Sequence, residues 1–279
     1  MNQTLVDSYL NLMVKALSFS LWPEPPHPLL MGNNLRPAAR RQFISILAGL
    51  LQRYNLELVK RVSVSQHQRE HGTVHPLYGD TMIGTKRLAN IRNCAEIIFR
   101  DKIEGDFIET GVWRGGACIF MRAILSAYNV TDRKIFVADS FEGLPPPDAR
   151  FPSDIGDRHH LFKTLQVSLD DVKNNFAKYD LLDDQVIFLK GFFSETLPTA
   201  KIDKLALLRL DGDMYGSTMD ALQNLYPKLQ SGGFCIVDDF DLPACRAAVN
   251  DFRKSKYIVA SLVEIDQSSV FWRRADDQA

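Results

Sequence analysis

Apolar and polar residues alternate with helical spacing in the N-terminal part of the chain. Apolar side chains recur every three or four positions over residues 4–20, which predicts an amphipathic helix. Four prolines between positions 23 and 28 forbid regular structure and indicate a connector. Pro37 suits the first turn of a second helix, whose apolar positions lie within residues 43–51. Residues 63–80 are polar and predict a mobile loop.

A different rhythm begins near residue 84, where apolar runs of strand length alternate with helical patterns. The central runs are continuously apolar, as in strands whose two faces are both covered. The pattern predicts an α/β fold with a doubly wound, mostly parallel, seven-stranded, Rossmann-like sheet. Residues 84–279 would form this domain, and residues 1–83 an N-terminal helical extension and lid. The predicted strands are 106–111, 134–139, 186–191, 205–213, 234–240, 257–263 and 269–273, and the predicted helices are 88–98, 115–128, 169–181, 218–229 and 243–254.

Short local signals refine some of these boundaries. Residues 168–171 and 217–220 both read S-x-x-D, the spacing of a helix N-cap and its third helical residue. We therefore expect a helix to begin at each. Gly232 and Gly233 predict a turn that leads into the strand at 234–240.

The charge balance excludes two classes of protein. Lys and Arg number 33, and Asp and Glu 34, which gives a formal net charge of −1. Such a chain is neither a strongly basic nucleic-acid binder nor an acidic disordered segment. No apolar run approaches the roughly 18 residues of a membrane span, and the N-terminus lacks a secretory pattern. The four scattered cysteines indicate reduced, buried thiols, so we predict a cytoplasmic protein without nucleic-acid or membrane partners.

The first strand end carries glycines. Ligands of doubly wound sheets bind beyond the carboxyl ends of the strands, and residues 109–116 there read ETGVWRGG. Glycine allows a tight turn and close approach of a ligand. The spacing departs from the G-x-G-x-x-G of dinucleotide-binding folds. The order E-x-G-x-x-x-G instead resembles the cofactor loop of S-adenosylmethionine-dependent methyltransferases. A purely structural strand–helix turn is the alternative interpretation.

Two further strand ends indicate contacts with a nucleoside. Asp139 ends its strand where nucleotide-binding folds use an acid to bind ribose hydroxyls. A turn or N-cap role is the alternative. Gly191 and Phe192 follow the next strand, and an aromatic ring at a crevice rim can pack on adenine. A core position for Phe192 is equally compatible with the sequence.

Carboxylates end two strands that we expect to be neighbours. Asp211 and Asp213 follow one strand, and Asp238 and Asp239 end another. Like charges so close raise one another's pKa unless a cation neutralises them. Ligation by oxygen alone favours Mg²⁺, Mn²⁺ or Ca²⁺ over zinc. Asp213 has a second interpretation, as a residue that shapes the turn before Ser217.

Longer motifs around these strand ends resemble the TylF/macrocin O-methyltransferase family. The similarity covers residues 7 to about 255, including the N-terminal DSYLNLMVKAL. The motifs are YGDTMIGTKRL (78–88), FIETGVWRGGACIFMR (107–122), VADSFEGLPPPD (137–148), LKGFFSETLP (189–198), LRLDGDMYGSTMDAL (208–222) and GGFCIVDDF (232–240).

The resemblance implies dependence on S-adenosylmethionine and Mg²⁺. It also implies methylation of a hydroxyl on a small-molecule acceptor, often the sugar of a secondary metabolite such as an antibiotic. Asp211, Asp238 and Asp239 would hold the metal, and Asp211 would also be the general base, with Asp213 as the fallback. The residues expected to contact the cofactor are Tyr78, Thr81, Met82, Glu109, Thr110, Gly111, Arg114, Gly115, Asp139, Ser140, Gly191, Phe192 and Asp211.

The acceptor stays open at this stage. Phe192 stands where family members often have Trp, and Gly216 where they often have Glu. One alternative function is a catechol-type O-methyltransferase acting on an aromatic hydroxyl. Another is a non-catalytic nucleoside-binding scaffold, which the gathered strand-end carboxylates argue against because a scaffold has no need of them. The two apolar N-terminal helices predict a homodimer surface.

The lid segment contains three histidines at four-residue spacing. On a helix His67, His71 and His75 would share a face. Gly72 and Pro76 argue against a stable helix there, so we interpret the three as lid residues that contact acceptor or cofactor.

A second histidine group lies in a polar loop. His159 and His160 follow Asp154 and Asp157 closely. Metal binding is one interpretation of this grouping, and a solvated loop is the one that we favour.

Overall fold

The computed structural model of the chain describes residues 2–29 and 38–275. Pro37, and with it part of the proline-rich segment, lies outside the described residues. The described helices are α1 Gln3–Leu17, α2 Ala38–Gln52, α3 Gln66–His71, α4 Thr85–Arg100, α5 Gly116–Ala127, α6 Leu169–Ala177, α7 Phe193–Thr196, α8 Tyr215–Leu225 and α9 Pro243–Ser255. The described strands are β1 His27–Pro28, β2 Val59–Lys60, β3 Asp106–Thr110, β4 Ile135–Asp139, β5 Val186–Lys190, β6 Leu205–Leu210, β7 Leu229–Val237, β8 Val263–Glu264 and β9 Val270–Arg273.

Seven of the described strands form one sheet, in the order β5-β4-β3-β6-β7-β9-β8. Strands β3 to β7 run parallel, and β9 pairs antiparallel with β7 and with β8. The strand order reverses between β3 and β6, so a crevice opens at their carboxyl ends. The predicted doubly wound, mostly parallel, seven-stranded sheet is confirmed. Gly232 and Gly233 lie inside β7, so the turn predicted there is wrong.

Two apolar cores cover the two faces of this sheet. Within β3, Phe107 enters one core and Ile108 the other, because successive strand side chains point to opposite faces. Helix α1 belongs to the first core, where Leu10 and Leu17 are fully buried. Burial of each such side chain stabilises the fold by about 1.5–3 kcal/mol. All four cysteines are buried and unpaired, as predicted. Within the described ranges, no helix has the length and apolar character of a membrane span.

The two predicted N-cap signals have opposite outcomes. The Ser168 hydroxyl accepts the backbone N–H of Asp171 at 3.1 Å and caps α6, as predicted. Helix α8 begins instead at Tyr215, and Ser217 lies inside its first turn. The N-cap residue of α8 is Met214, which offers no side-chain hydrogen bond. The start predicted for α8 from its S-x-x-D spacing is therefore wrong.

The polar segment after α2 contains a short helix that the sequence analysis did not predict. Helix α3 begins with a capping box, in which Ser65 and Gln68 each accept the backbone N–H of the other, at 3.2 and 2.9 Å. Gly72 ends α3 in the left-handed conformation, with φ at 64°, rather than preventing it. The interpretation against a helix is therefore wrong for His67 and His71.

Two connections cover the carboxyl ends of the strands. The lid loop, residues 72–84, joins α3 to α4, and the flap, residues 141–167, joins β4 to α6. The backbone N–H groups of Asp80 and Thr81 donate to the carbonyl of Leu17, at 2.9 and 3.2 Å. The lid loop is thereby attached to α1. The division of the chain at residue 83 stays a prediction.

Candidate active site

A cavity of about 570 Å³ opens at the carboxyl ends of β3, β4, β6 and β7. Strand ends, lid loop and flap all contribute to its walls. Its volume is that of a site for a ligand of drug-like size. The predicted site residues that line it are Thr81, Met82, Glu109, Gly111, Asp139, Ser140, Phe192, Asp211, Asp238 and Asp239.

Some of the predicted cofactor residues lie outside the cavity wall. The Arg114 guanidinium donates to the carbonyl oxygens of Leu77 and Gly79, at 3.1 and 2.7 Å, and lies 4.2 Å over the Trp113 ring. It therefore holds the lid loop instead of reaching into the cavity. Tyr78 is largely exposed. The predicted residues outside the wall are Tyr78, Thr110, Arg114, Gly115 and Gly191.

The glycines of the loop after β3 are required by the protein itself. A Cβ on Gly111 would lie 1.6 Å from the carbonyl oxygen of Asp211, and the φ of Gly111 is 85°. A Cβ on Gly115, which has the same φ, would lie 2.8 Å from Cγ1 of Val172. Close approach of neighbouring elements thus accounts for both glycines, whatever ligand the loop binds.

The sequence left two roles open for Asp139, ribose binding and the shaping of a turn, and its position in the structure is compatible with both. Its carboxylate accepts the backbone N–H groups of Val112, at 2.8 Å, and Phe141, at 2.7 Å, and so fixes the turn after β4. It also lines the cavity, where its remaining lone pairs can accept hydrogen bonds from ribose hydroxyls. Burial raises the pKa of this carboxyl.

Strand-end carboxylates gather around a buried arginine. Oxygen atoms of Asp211, Asp238 and Asp239 lie within 4.8 Å of one another. The fully buried Arg209 donates to Asp211 at 2.9 Å and also contacts Glu109 and Asp238. These carboxylates come from the ends of β3, β6 and β7, so one guanidinium joins three adjacent strands.

Carboxyl groups outnumber arginines in this cluster. Arg87 is the second cation, and it donates to Asp238 at 2.6 Å and to Asp266 at 2.8 Å. Burial, and then the charge of Asp238, raise the pKa of Asp211 to about 8. Burial, and then the charge of Asp213, raise the pKa of Asp239 well above its usual range. The two arginines pair with four carboxyl groups, which are Glu109, Asp211, Asp238 and Asp266, while Asp213 and Asp239 lie in the same cluster without an arginine partner among the described residues.

These residues fit a divalent cation. Each carboxylate makes ionisation of its neighbours less favourable, because their charges have the same sign. A cation that replaces the protons removes this repulsion and stabilises the ionised groups. The donors are all oxygen atoms, which suits Mg²⁺. Asp238 contributes least, because arginines hold both of its oxygens, so Asp211 and Asp239 carry most of the remaining ligand capacity.

Asp213 stands apart from the arginines. Its backbone has a φ of 56°, a left-handed conformation, and its N–H donates to Asp239 at 3.1 Å. Its carboxylate lines the cavity and accepts no hydrogen bond from the residues that the structure describes. Burial raises the pKa of Asp213 to about 6, although His159 acts in the opposite direction. Asp213 is thus available for proton transfer.

Comparison with known proteins identifies the family. The family described as Macrocin-O-methyltransferase (TylF) matches residues 6–274. The chain belongs to this family. It is 49% identical over 222 residues to the mycinamicin III 3''-O-methyltransferase of Micromonospora griseorubida, which covers 78% of this chain and 87% of that protein. It is 43% identical over 271 residues to the demethyldecarbamoylnovobiocin O-methyltransferase of Streptomyces niveus, covering 95% and 93%.

Solved structures agree with this assignment. The O-methyltransferase NovP is similar with a TM-score of 0.82 and 41% identity, over 97% of this chain and 99% of that one. The calicheamicin methyltransferase CalS11 shares the fold, with a TM-score of 0.56 and 20% identity, over 68% of this chain and 79% of that one. The protein is therefore an S-adenosylmethionine-dependent O-methyltransferase.

The flap of this methyltransferase supplies the N-cap that α8 lacks. Asp154 is 2% exposed, and its carboxylate accepts the backbone N–H groups of Tyr215, at 2.6 Å, and Gly216, at 2.9 Å. These are the first two residues of α8. A carboxylate at a helix N-terminus also interacts favourably with the helix dipole. The sequence carried no signal of this contact, because the S-x-x-D spacing pointed to a helix start at Ser217.

An aromatic ring of the flap occupies the space above Gly216. A Cβ at this position would lie 2.7 Å from Cδ2 of Phe151. Phe151 itself lines the cavity and packs against Tyr215, with ring centroids 5.6 Å apart. The space above Gly216 is thus filled by an apolar ring from another segment.

The structure separates the histidines of the two groups by whether they reach the cavity. His159 lies in the loop between β4 and α6 with its side chain 35% exposed, and it also lines the cavity, so the solvated-loop interpretation stays a prediction. Among the lid histidines, His75 lines the cavity and packs against Trp113, with ring centroids 5.4 Å apart, while His67 and His71 do not line it. The D-x-H spacing from Asp157 to His159 was the signal available in the sequence.

Proposed function

We propose that the protein transfers a methyl group from S-adenosylmethionine to a sugar hydroxyl of an antibiotic-type natural product, with Mg²⁺ as a cofactor. The observation that carries this proposal is the convergence of Asp211, Asp238 and Asp239 in the same cavity as Asp139. A ribose-binding acid and an oxygen-only cation site in one cavity suit a cofactor and a hydroxyl acceptor side by side. The names of the relatives support the acceptor class.

The cofactor would occupy the side of the cavity formed by β3 and β4. Asp139 would accept hydrogen bonds from its ribose hydroxyls, and Phe192 would pack on its adenine. Glu109, Thr81 and Met82 would face the rest of the molecule. When bound, S-adenosylmethionine supplies an electrophilic methyl group on a positively charged sulfur, and the negative charge of the acid cluster favours a cation nearby.

The metal would be held by Asp211 and Asp239, with Asp238 behind them. When bound, Mg²⁺ acts as a Lewis acid that lowers the pKa of a hydroxyl and orients it. Arg209 and Arg87 hold the Asp238 carboxylate in place, which maintains the shape of the site before any ligand binds. Preformed sites of this kind need little reorganisation during the reaction.

Of the two candidate bases, we favour Asp213. Asp211 is committed to Arg209 and to the metal cluster, whereas the Asp213 carboxylate has no such partner. A pKa of about 6 is close to that of an effective general base near neutral pH. Asp213 would accept the proton that the acceptor hydroxyl loses.

The test is an assay of S-adenosylhomocysteine formation with a panel of acceptors. The panel contains the acceptors named for the relatives, which include mycinamicin III and demethyldecarbamoylnovobiocin, together with simple catechols. Each is assayed with Mg²⁺ and with a chelator. We expect turnover of a sugar-bearing acceptor that is lost with the chelator. Preference for catechols would favour the aromatic alternative, and binding of the cofactor without turnover of any acceptor would favour the scaffold.

The exposed apolar side of α2 suggests that the protein forms a homodimer. Phe43, Ile46 and Leu50 are exposed along one side of α2, a pattern that suits a second copy of this chain. Ile46→Asp should then convert a dimer into a monomer in light scattering, whereas a wild-type monomer would contradict this.

We place the enzyme in the cytoplasm because its buried cysteines are all unpaired.

A further inference from the structure

The flap brings a histidine and an aspartate together at the cavity wall. Nδ1 of His159 lies 2.6 Å from one carboxylate oxygen of Asp157, and the backbone N–H of His159 donates to the other oxygen at 2.8 Å. The ring of His159 meets that of Phe162 edge-on, with centroids 5.5 Å apart. The imidazole is thus held in one orientation by a carboxylate and by an aromatic neighbour.

This arrangement determines what the other ring nitrogen can do. A carboxylate accepts a hydrogen bond, so Nδ1 of His159 carries the proton, and a neutral ring then has a lone pair on Nε2. Among the residues that the structure describes, none donates a hydrogen bond to Nε2. The side chain is 35% exposed, and the residue lines the cavity. A hydrogen-bond acceptor is therefore available to a ligand.

The flap is fixed relative to the acid cluster. Asp154, three residues before Asp157, caps α8, and α8 follows directly after Asp213. His159 and Asp213 both line the cavity. The segment that carries His159 is therefore anchored to the helix that follows the proposed base.

We propose that Nε2 of His159 accepts a hydrogen bond from a second hydroxyl of the acceptor, so that the enzyme binds a sugar with at least two free hydroxyls. The inference rests on the proposed function. Asp213 would face the hydroxyl that is methylated, and His159 would face a neighbouring one. Apolar and aromatic flap residues that line the same cavity suit the faces of a sugar ring or aglycone, and they are Pro145, Pro146, Phe151, Phe162 and Leu165.

The test combines variants of the enzyme with variants of the acceptor. The acceptor that the wild type methylates fastest is compared with analogues in which each remaining sugar hydroxyl is replaced in turn by hydrogen. For the wild type, one analogue should lower kcat/KM about three- to tenfold, the worth of one neutral hydrogen bond, mainly through KM. His159→Ala should lower kcat/KM for the parent acceptor by a similar factor. The kcat/KM of this variant should then be the same for that analogue and for the parent.

Two further variants separate positioning from other roles. His159→Gln keeps a hydrogen-bonding group near the position of Nε2, so its KM should lie between those of the wild type and His159→Ala. Asp157→Asn should raise KM because the ring loses its fixed orientation. Lys163→Gln, an exposed flap substitution, is the control and should match the wild type. S-adenosylhomocysteine affinity, measured by calorimetry, and the unfolding temperature should stay unchanged for the His159 variants.

Other outcomes overturn the inference. If each hydroxyl replacement lowers kcat/KM by the same factor in His159→Ala as in the wild type, His159 and the acceptor hydroxyls act independently. His159 then binds no acceptor hydroxyl. A fall in kcat at unchanged KM would make His159 a proton-transfer residue instead. If the wild type turns over no sugar acceptor at all, the proposed function itself fails, and the inference fails with it.

Discussion

Magnesium binding should release protons, and its affinity should depend steeply on pH. In the metal-free protein the pKa of Asp211 is raised to about 8, first by burial and then by the charge of Asp238. Such a carboxyl is about half ionised at pH 8 and about 1% ionised at pH 6. Because a metal binds the ionised form, the apparent Mg²⁺ affinity should fall about fiftyfold between pH 8 and pH 6.

Isothermal titration calorimetry in two buffers of different ionisation enthalpy measures both the affinity and the protons released. At pH 7 Asp211 alone should release about 0.9 proton for each Mg²⁺ bound. Asp239, whose pKa is also raised, would add to this number. Asp220→Asn, at the cavity wall outside the cluster, is the matched control and should release as many protons as the wild type.

The same pKa shift predicts the direction of a stability change. The folded-state pKa of Asp211 lies above the usual aspartate value of 3.8, so the metal-free protein should lose stability as pH rises from about 4 to 8. Added Mg²⁺ should therefore raise the unfolding temperature more at pH 8 than at pH 6. An affinity that changes less than threefold over this range, without proton release, would refute the reasoning.

Three further predictions concern the proposed roles. Asp213→Asn should lower turnover by about 10²-fold or more while S-adenosylhomocysteine affinity in calorimetry stays unchanged, and full turnover would exclude this base. Asp139→Ala should weaken S-adenosylmethionine binding at least about tenfold, because bonds to a charged acceptor are lost. Its unfolding temperature must be measured alongside, since the same carboxylate holds the turn after β4. Limited proteolysis within residues 63–82 should slow when S-adenosylhomocysteine is present, and equal cleavage would contradict a ligand-closed lid.

The sheet and its strand ends could be predicted because buried parallel strands are continuous apolar runs that end in polar residues. Asp139, Asp211 and Asp238 therefore lie at the expected edge of the sheet. Arg209 could not be assigned, because it lies inside such a run and its partners depend on the register of three strands. That register sets Glu109 of β3 opposite Arg209 of β6, a relation between residues 100 positions apart.

Short sequence patterns did not predict features that depend on a contact with a distant segment of the chain. The start of α8 depends on Asp154, which lies 61 residues before Tyr215. The place of His159 at the cavity wall could not be predicted, because neither its neighbour Asp157 nor the spacing shows which side of the flap faces the cavity. In both cases the missing information is the path of a long loop, which apolar periodicity does not encode.

The contact between flap and α8 constrains chimaeric enzymes in which acceptor loops are exchanged between relatives. A donor flap without a carboxylate at the position of Asp154 would leave the N–H groups of Tyr215 and Gly216 unpaired. A recipient with any side chain in place of Gly216 would collide with Phe151. These positions must therefore be transplanted together, so a change of acceptor preference needs at least two separate segments of the gene rather than the loop alone.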